Sequence, residues 1–185
     1  KVSGDEHIPV QGAAILVCNH VSFVDAVLLM AASPRPIRFI MDHQIFKVPV
    51  LGWMFKLANA IPIAPQKVDA GIYERAFAEA RRVLDDGDLL CIFPEGGITK
   101  DGTLQPFKGG IMKILETNPV PVIPIALTNL WGSFFSRIED GRAMSRPFRR
   151  GAFNRVGLIS GAPLPAAQVT PEALHSRVEQ LLAAR

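Results

Sequence analysis

The sequence is poor in the residues that build disulfide frameworks and metal centres. Only two of its 185 residues are cysteine and four are histidine. Both cysteines, Cys18 and Cys91, end apolar runs, which indicates buried free thiols in a reducing compartment rather than a disulfide. The histidines lack the spacing of metal ligands, so we expect no metal and no other cofactor.

Long uninterrupted apolar runs and a strong net charge are also missing. The most apolar window, 48–65, is broken by Lys56 and by prolines, whereas a spanning helix needs about 20 clean apolar residues. We expect no transmembrane helix, although an apolar surface that dips into a bilayer remains open. A net charge of +3 suits an anionic membrane surface or a phosphorylated small molecule, and it does not favour nucleic acid.

What the chain does have is a regular alternation of Val/Ile-rich runs with helical patterns. This alternation predicts a single α/β domain over 1–185, with a mixed, mostly parallel sheet flanked by helices. No signal peptide is visible and the first residue is Lys1, so we expect a domain of a longer protein. The predicted strands are 13–18, 36–41, 60–64, 89–93, 120–127 and 153–161; the predicted helices are 24–32, 69–86, 110–117 and 171–184, with an irregular connection over 136–150.

Chemistry is concentrated where the first strand ends, in the stretch ILVCNHVSFVDAVLL, 15–29. Five residues on an ideal helix turn about 500°, so His20 and Asp25 meet only if the histidine lies before the helix and the aspartate in its first turn. Asp25 would then orient the imidazole, making His20 a general base that acts on a substrate hydroxyl. The alternative is that Ser22 and Asp25 form a helix cap and His20 is an ordinary histidine at the edge of the core.

A second motif, CIFPEGGITKDG, follows the strand at 89–93. Glu95 can accept hydrogen bonds from hydroxyl groups, and backbone N–H groups of the glycine turn can bind a developing oxyanion. Lys100 and Lys108 could hold a phosphate. The alternative is a plain turn. Since ligand sites of open α/β sheets lie at the carboxyl ends of strands, we expect the two motifs to meet at one rim.

The ordered set of motifs resembles the glycerolipid acyltransferase superfamily, of the lysophosphatidic-acid acyltransferase type. Asn19, His20 and Asp25 match its first motif, 93–96 match its Phe-Pro-Glu-Gly motif, and 122–125 match its fourth. The resemblance implies a glycerol-phosphate acyltransferase-like fold and acyl transfer from acyl-CoA or acyl-carrier protein to a lysophospholipid. It implies His20 and Asp25 as catalytic residues and the following as substrate-binding: Asn19, Ser22, Phe93, Pro94, Glu95, Gly96, Gly97, Thr99, Lys100 and Lys108. The implied location is peripheral, on the cytoplasmic face of the cell membrane.

The sequence departs from the family pattern at both of its usual phosphate-binding arginines. Gly97 and Ile98 stand where Thr-Arg is common, and Pro65 stands about where the second motif carries its arginine. The form Phe-Pro-Glu-Gly-x-Ile-Thr looks more like the branch that acylates lysophosphatidylethanolamine, whose members are often fused to a transporter or a synthetase. Lys100, Lys108 and Arg35 are possible substitutes, so 1-acylglycerol-3-phosphate stays open as the acceptor.

Two other functions remain open from the sequence. One is a thioesterase-like hydrolase, in which water replaces the lipid hydroxyl; the other is a catalytically silent lipid-binding module of a larger membrane protein. The oriented base argues against the silent module, and the missing arginines argue for it. A further cluster of arginines is either solvated or contacts anionic lipid: Arg146, Arg149, Arg150 and Arg155.

Overall fold

Seven strands form one sheet in the part of the chain, 1–136 and 155–184, that the computed structural model describes. The strands are β1 (Val2–Ser3), β2 (Ala14–Cys18), β3 (Ile37–Asp42), β4 (Ile61–Ile63), β5 (Leu89–Ile92), β6 (Val122–Thr128) and β7 (Gly157–Ser160). Their order is β1-β7-β6-β2-β5-β3-β4. All neighbouring strands run parallel except β6 and β7, which are antiparallel. The predicted mixed, mostly parallel sheet is therefore confirmed.

The helices are α1 (Asp25–Ala32), α2 (Pro49–Leu57), α3 (Ala70–Asp85), α4 (Gly110–Thr117) and α5 (Pro171–Ala183). Short 3₁₀ turns lie at Asp5–His7, His43–Lys47 and Ala166–Gln168. The predicted helices are present with ends within one residue, whereas α2 was not predicted. Local signals explain α3: the Asp69 carboxylate accepts from the Ile72 N–H at its start, and Gly87, with φ +82°, follows its end.

Both faces of the sheet are covered, which explains why its central strands are continuous apolar runs. Every residue of β2, β5 and β6 is buried. Side chains alternate between two cores: Leu16 lies in the core with α1 and α2, and Ile15 lies in the core with α3, α4 and α5. Cys18 and Cys91 are buried free thiols, as predicted.

The topology brings the two motifs together. Because β2 and β5 are parallel neighbours, with Val17 opposite Ile92, their carboxyl ends lie at the same edge of the sheet. The Asn-His pair follows β2 and the Phe-Pro-Glu-Gly turn follows β5. The carboxyl end of β6 lies beside that of β2. We call this edge of the sheet the active-site rim.

Two predictions concern other parts of the chain. No helix among the described residues is long and apolar enough to cross a membrane. Most of the predicted irregular connection, with Arg146, Arg149 and Arg150, lies outside the described residues. Arg155 is described and is exposed.

Candidate active site

His20 and Asp25 are in direct contact at the active-site rim. The His20 Nδ1 atom lies 2.8 Å from Asp25 Oδ2. His20 lies in the turn after β2 and Asp25 is the first residue of α1, the arrangement that the five-residue spacing requires. Since an ionised carboxylate only accepts hydrogen bonds, Nδ1 carries a proton and Nε2 is left as the basic atom. Nε2 has no hydrogen-bond partner among the described residues.

Asp25 is fully buried and is held by four donors. Besides the imidazole, Oδ2 accepts from the backbone N–H groups of Val21, at 2.8 Å, and Ser22, at 3.0 Å. Oδ1 accepts from the Ser22 hydroxyl at 2.6 Å. Such a set of donors leaves the carboxylate a single orientation. The His20 imidazole is thus attached to a rigid acceptor.

The capping interpretation and the catalytic interpretation describe the same geometry. Asp25 accepts from the Ser22 N–H, which is one half of a capping box, and its carboxylate also lies at the positive end of α1. In the other half of a capping box the Ser22 hydroxyl would accept from the Asp25 N–H. Here it accepts instead from the Val24 N–H, at 3.2 Å. Val24 itself occupies the N-cap position, without a side-chain cap. Ser22 therefore braces the aspartate, and its hydroxyl is already engaged on both sides.

Phe93 forms a platform for the imidazole. Its ring stacks on His20 with the centroids 4.2 Å apart and 20° between the planes. Phe39 lies behind it, at 6.3 Å between centroids, within the core shared with α1 and α2. The stack fixes the plane of a ring whose position is already set by Asp25. His20 remains 22% exposed, so its free nitrogen is reachable from outside.

Glu95 joins the two motifs through the backbone. Its Oε1 accepts from the His20 N–H at 2.6 Å and its Oε2 accepts from the Gln105 N–H at 2.8 Å. The residue is 7% exposed. Burial raises the pKa of the Glu95 carboxyl above its ordinary value, although the hydrogen bonds from Gln105 and His20 oppose the shift. We infer that Glu95 positions His20; a contact with the acceptor hydroxyl remains a prediction.

We expect Glu95→Gln to destabilise the fold and to slow the reaction. Each carboxylate oxygen accepts from a buried backbone N–H, so the amide nitrogen of glutamine must face one of these donors. An unsatisfied buried donor costs about 1–3 kcal/mol in the free energy of unfolding. Urea denaturation measures this loss, with Glu116→Gln, at an exposed position of α4, as the matched control. A stability equal to that of the parent chain would remove the positioning role.

The stability difference between the parent chain and Glu95→Gln should also depend on pH. A carboxyl with a raised pKa in the folded state stabilises the fold below its unfolded pKa, 4.5, and loses that contribution as the pH rises through the folded pKa. Glutamine does not titrate. The advantage of the parent chain should therefore be largest below pH 4.5 and shrink above it. A difference that grows with pH would contradict the raised pKa.

The glycine turn leaves backbone donors without a partner among the described residues and brings a lysine close. Gly96 has φ +71°, and its N–H donates to the Phe93 carbonyl at 3.0 Å. The Gly97 N–H has no partner within the described residues, and Gly97 is exposed. Lys108 approaches so near that a Cβ at Gly96 would collide with its ammonium group, and its own N–H donates to the Pro94 carbonyl at 2.9 Å. The turn therefore offers a free amide and lies close to a positive charge.

The loop that follows the turn is supported from within. Thr99 is buried; its N–H donates to the His20 carbonyl at 2.9 Å, and its hydroxyl donates to Asp101. Three hydrogen bonds, two from Thr103 and one from Thr99, lower the pKa of Asp101 to about 2. Lys100 is exposed at the outer side of this loop. Thr99 thus positions the loop, and Lys100 is placed less tightly than Lys108.

The side chains of Asn19, Cys18 and Cys91 are buried and have structural roles. The Asn19 side chain donates to the Leu127 carbonyl at 3.1 Å and accepts from the Leu127 N–H at 2.7 Å, which attaches the end of β2 to β6. Burial raises the pKa of the Cys18 and Cys91 thiols, so neither is an activated nucleophile. Asn19 holds the start of the His20 turn in place.

The expectation that Arg35 could contact a phosphate at this site is wrong. Its guanidinium donates to the carbonyls of Pro9, Gly12 and Gly87, which precede β2 and β5. These carbonyls lie at the amino ends of the strands, opposite the active-site rim. The sequence does not indicate that Arg35 lies at this end of the sheet. It does not indicate the backbone partners of Asp25 and Glu95 either, because main-chain donors and acceptors carry no residue signature.

Comparisons with known proteins identify the family of the chain. The family model described as Acyltransferase matches residues 1–128. The 1-acyl-sn-glycerol-3-phosphate acyltransferase of Limnanthes douglasii is 33% identical over 129 residues, and that of Cocos nucifera is 37% identical over 115 residues. These alignments cover 69% and 62% of this chain.

A solved structure shares the fold. The crystal structure of the 1-acyl-sn-glycerophosphate (LPA) acyltransferase PlsC from Thermotoga maritima superposes with a TM-score of 0.72 at 26% identity, over 100% of this chain and 72% of that one. The chain spans less than half the length of the two plant relatives, 44% and 37%.

Proposed function

The chain belongs to the acyltransferase family, and we propose that it transfers a fatty acyl group from a thioester to the free hydroxyl of a lysophospholipid. The observation that carries the proposal is the His20 imidazole, which a buried carboxylate orients through Nδ1, while Nε2 has no hydrogen-bond partner among the described residues and the side chain is 22% exposed. The first candidate acceptor is 1-acylglycerol-3-phosphate, because relatives bear that name. Lysophosphatidylethanolamine is the second, on the form of the Phe-Pro-Glu-Gly turn.

The reaction can be written with these groups. Nε2 takes the proton of the acceptor hydroxyl as its oxygen attacks the thioester carbonyl carbon, and Asp25 stabilises the imidazolium that forms. The free Gly97 N–H is the candidate donor to the oxyanion. The carbon–sulfur bond then breaks, and the thiolate leaves with the proton from His20. No covalent enzyme intermediate is needed, which agrees with the occupied Ser22 hydroxyl and the buried cysteines.

We propose Lys108 as the residue that holds the phosphate of the acceptor. Its ammonium lies against Gly96, so it puts a positive charge at the turn that follows β5, on the active-site rim. Gly96 permits this approach because it lacks a side chain. Lys100 can contribute from the outer side of the loop. A lysine supplies charge without the paired donors of the arginine that the family resemblance places at the position of Ile98.

We expect Lys108→Ala to raise the KM for the lysophospholipid by about 10- to 100-fold, since a hydrogen bond to a charged group contributes about 1.5–3 kcal/mol. The kcat should change much less, because the lysine binds the acceptor before and during the reaction alike. Lys108→Arg, which keeps the charge, and Lys113→Ala, on α4, are the matched controls. An unchanged KM for Lys108→Ala would remove this assignment.

The membrane surface, the donor and the location belong to the same proposal. A lysophospholipid resides in a bilayer, so we propose a peripheral protein, or a domain of a membrane protein, on the cytoplasmic face of the membrane. The donor is acyl-CoA or acyl-carrier protein.

Release of free thiol tests the function. The chain is incubated with long-chain acyl-CoA, or with acyl-carrier protein, with and without each lysophospholipid, and His20→Ala is the blank. Release that depends on one lysophospholipid and on His20 supports the transferase and identifies the acceptor. Release without any acceptor would instead indicate the hydrolase, and no release with either donor would indicate the silent lipid-binding module.

A further inference from the structure

Helix α2 presents an apolar stripe to solvent. Val50, Trp53 and Leu57 are 75%, 65% and 64% exposed. Their spacing of three and seven residues puts them on one side of the helix, within an arc of about 60°. We call these three side chains the outer face of α2. Exposed apolar side chains gathered on one face mark an interaction surface more often than single exposed ones do.

The outer face is exposed although the helix itself is firmly seated. On the opposite side Phe55 is 3% exposed and packs in the core that contains Phe39 and contacts Phe93. Gly52 is buried against the Phe46 carbonyl, where a side chain would collide, and its N–H donates to the Val48 carbonyl at 2.6 Å. The inner face of α2 is thus connected to the platform under His20. Because the inner face is packed against the core, the outer face of α2 is directed toward solvent.

The charged residues in the segment that contains α2 are all positive. The segment 43–68 contains Lys47, Lys56 and Lys67, all exposed, and no aspartate or glutamate. Lys47 and Lys56 lie near the two ends of α2. Two acidic residues border the segment, and each accepts from a backbone N–H: Asp42 from that of Gln44 and Asp69 from that of Ile72. An anionic partner is therefore complementary to this surface.

We propose that the outer face of α2 docks the chain onto a bilayer that contains anionic phospholipid. Trp53 supplies the amphipathic ring that favours a membrane interface, and the flanking lysines supply the attraction to anionic head groups. Helix α2 follows β3, whose carboxyl end lies at the active-site rim because β3 runs parallel to β5. Docking brings the rim to the bilayer surface. The proposal rests on the proposed acyltransferase function, because docking would serve to bring the enzyme to its lipid substrate. Binding to vesicles can nevertheless be measured without measuring acyl transfer.

Vesicle binding tests the docking directly. The chain is sedimented with vesicles of phosphatidylcholine alone and of phosphatidylcholine with phosphatidylglycerol. The double variant Trp53→Ser, Leu57→Ser should partition at least about tenfold less, because it loses two apolar side chains from the interface. Val10→Ser is the matched control: Val10 is 71% exposed but lies far from α2 in the chain, before β2, and its removal should leave binding unchanged. Lys47→Gln with Lys56→Gln should remove the preference for phosphatidylglycerol and its salt sensitivity.

Activity on two presentations of the acceptor separates this proposal from the proposed function. The double variant should keep the parent rate on a short-chain lysophospholipid dissolved as monomer and lose it on the same head group embedded in vesicles. Equal vesicle binding by the double variant and the parent chain would overturn the docking. So would a dimer in solution that the double variant abolishes, without vesicle binding, since the face would then be a protein interface. Vesicle binding that depends on α2, in a chain with no transferase activity on either presentation, would uphold the docking and overturn the proposed function.

Discussion

His20→Ala should lower acyl transfer by about 10²–10⁴-fold, the contribution of a positioned general base. The variant removes Nε2, the basic nitrogen at the active-site rim, while Asp25 keeps three of its four donors. We therefore expect the fold to persist. Thiol release in the presence of the acceptor measures the rate, and thermal unfolding verifies the fold.

His175→Ala is the matched control for this variant. His175 lies on α5 and packs edge-on against Phe107, with ring centroids 5.2 Å apart; Phe107 packs against the core with α3, α4 and α5, whereas Phe93 packs against the core with α1 and α2. The His175→Ala variant loses the same type of side chain but keeps His20, so we expect it to retain the rate of the parent chain. A His20→Ala chain that keeps its fold and its transferase rate would eliminate the general base, and with it the mechanism.

Asp25→Asn should have the second largest effect, a loss of about 10²–10⁴-fold in rate with little change of shape. The amide oxygen can still accept from His20 and from the backbone of Val21 and Ser22, and the amide nitrogen can face the Ser22 hydroxyl oxygen. What disappears is the negative charge that stabilises the imidazolium. The capping interpretation makes the opposite prediction, since an uncharged acceptor at a helix start would leave the rate unaffected.

The double variant His20→Ala, Asp25→Asn distinguishes a joint role from two separate roles. If Asp25 acts only through the imidazole, the double variant should be no slower than His20→Ala alone, because the orienting group has nothing left to orient. Rates that multiply would assign Asp25 an independent role at the start of α1. Single-turnover kinetics with the preferred acceptor measures all three variants, and each is accompanied by a thermal unfolding curve.

Local patterns predicted most of the elements because their causes are local. The α3 helix has its own cap in Asp69 and its own stop at Gly87, and β2, β5 and β6, which are covered on both faces, are apolar except for the last residue of β6, Thr128. Helix α2 was missed because it lacks these signals. It begins at Pro49 without a side-chain cap, and its outer face is as apolar as its inner face. Periodicity alone cannot identify a helix that has apolar side chains all round.

The sequence by itself determined the class of fold, the His20 and Asp25 pair and the glycine turn after β5, since spacing along the chain encodes all three. Only the tertiary structure decided how these groups are held. Adjacent parallel strands bring Glu95 to the backbone of His20, direct Arg35 away from the rim, and put Lys108 against Gly96. The tertiary structure also decided which side of α2 is exposed to solvent. These outcomes depend on strand order and on main-chain donors, and neither leaves a pattern in the order of the amino acids.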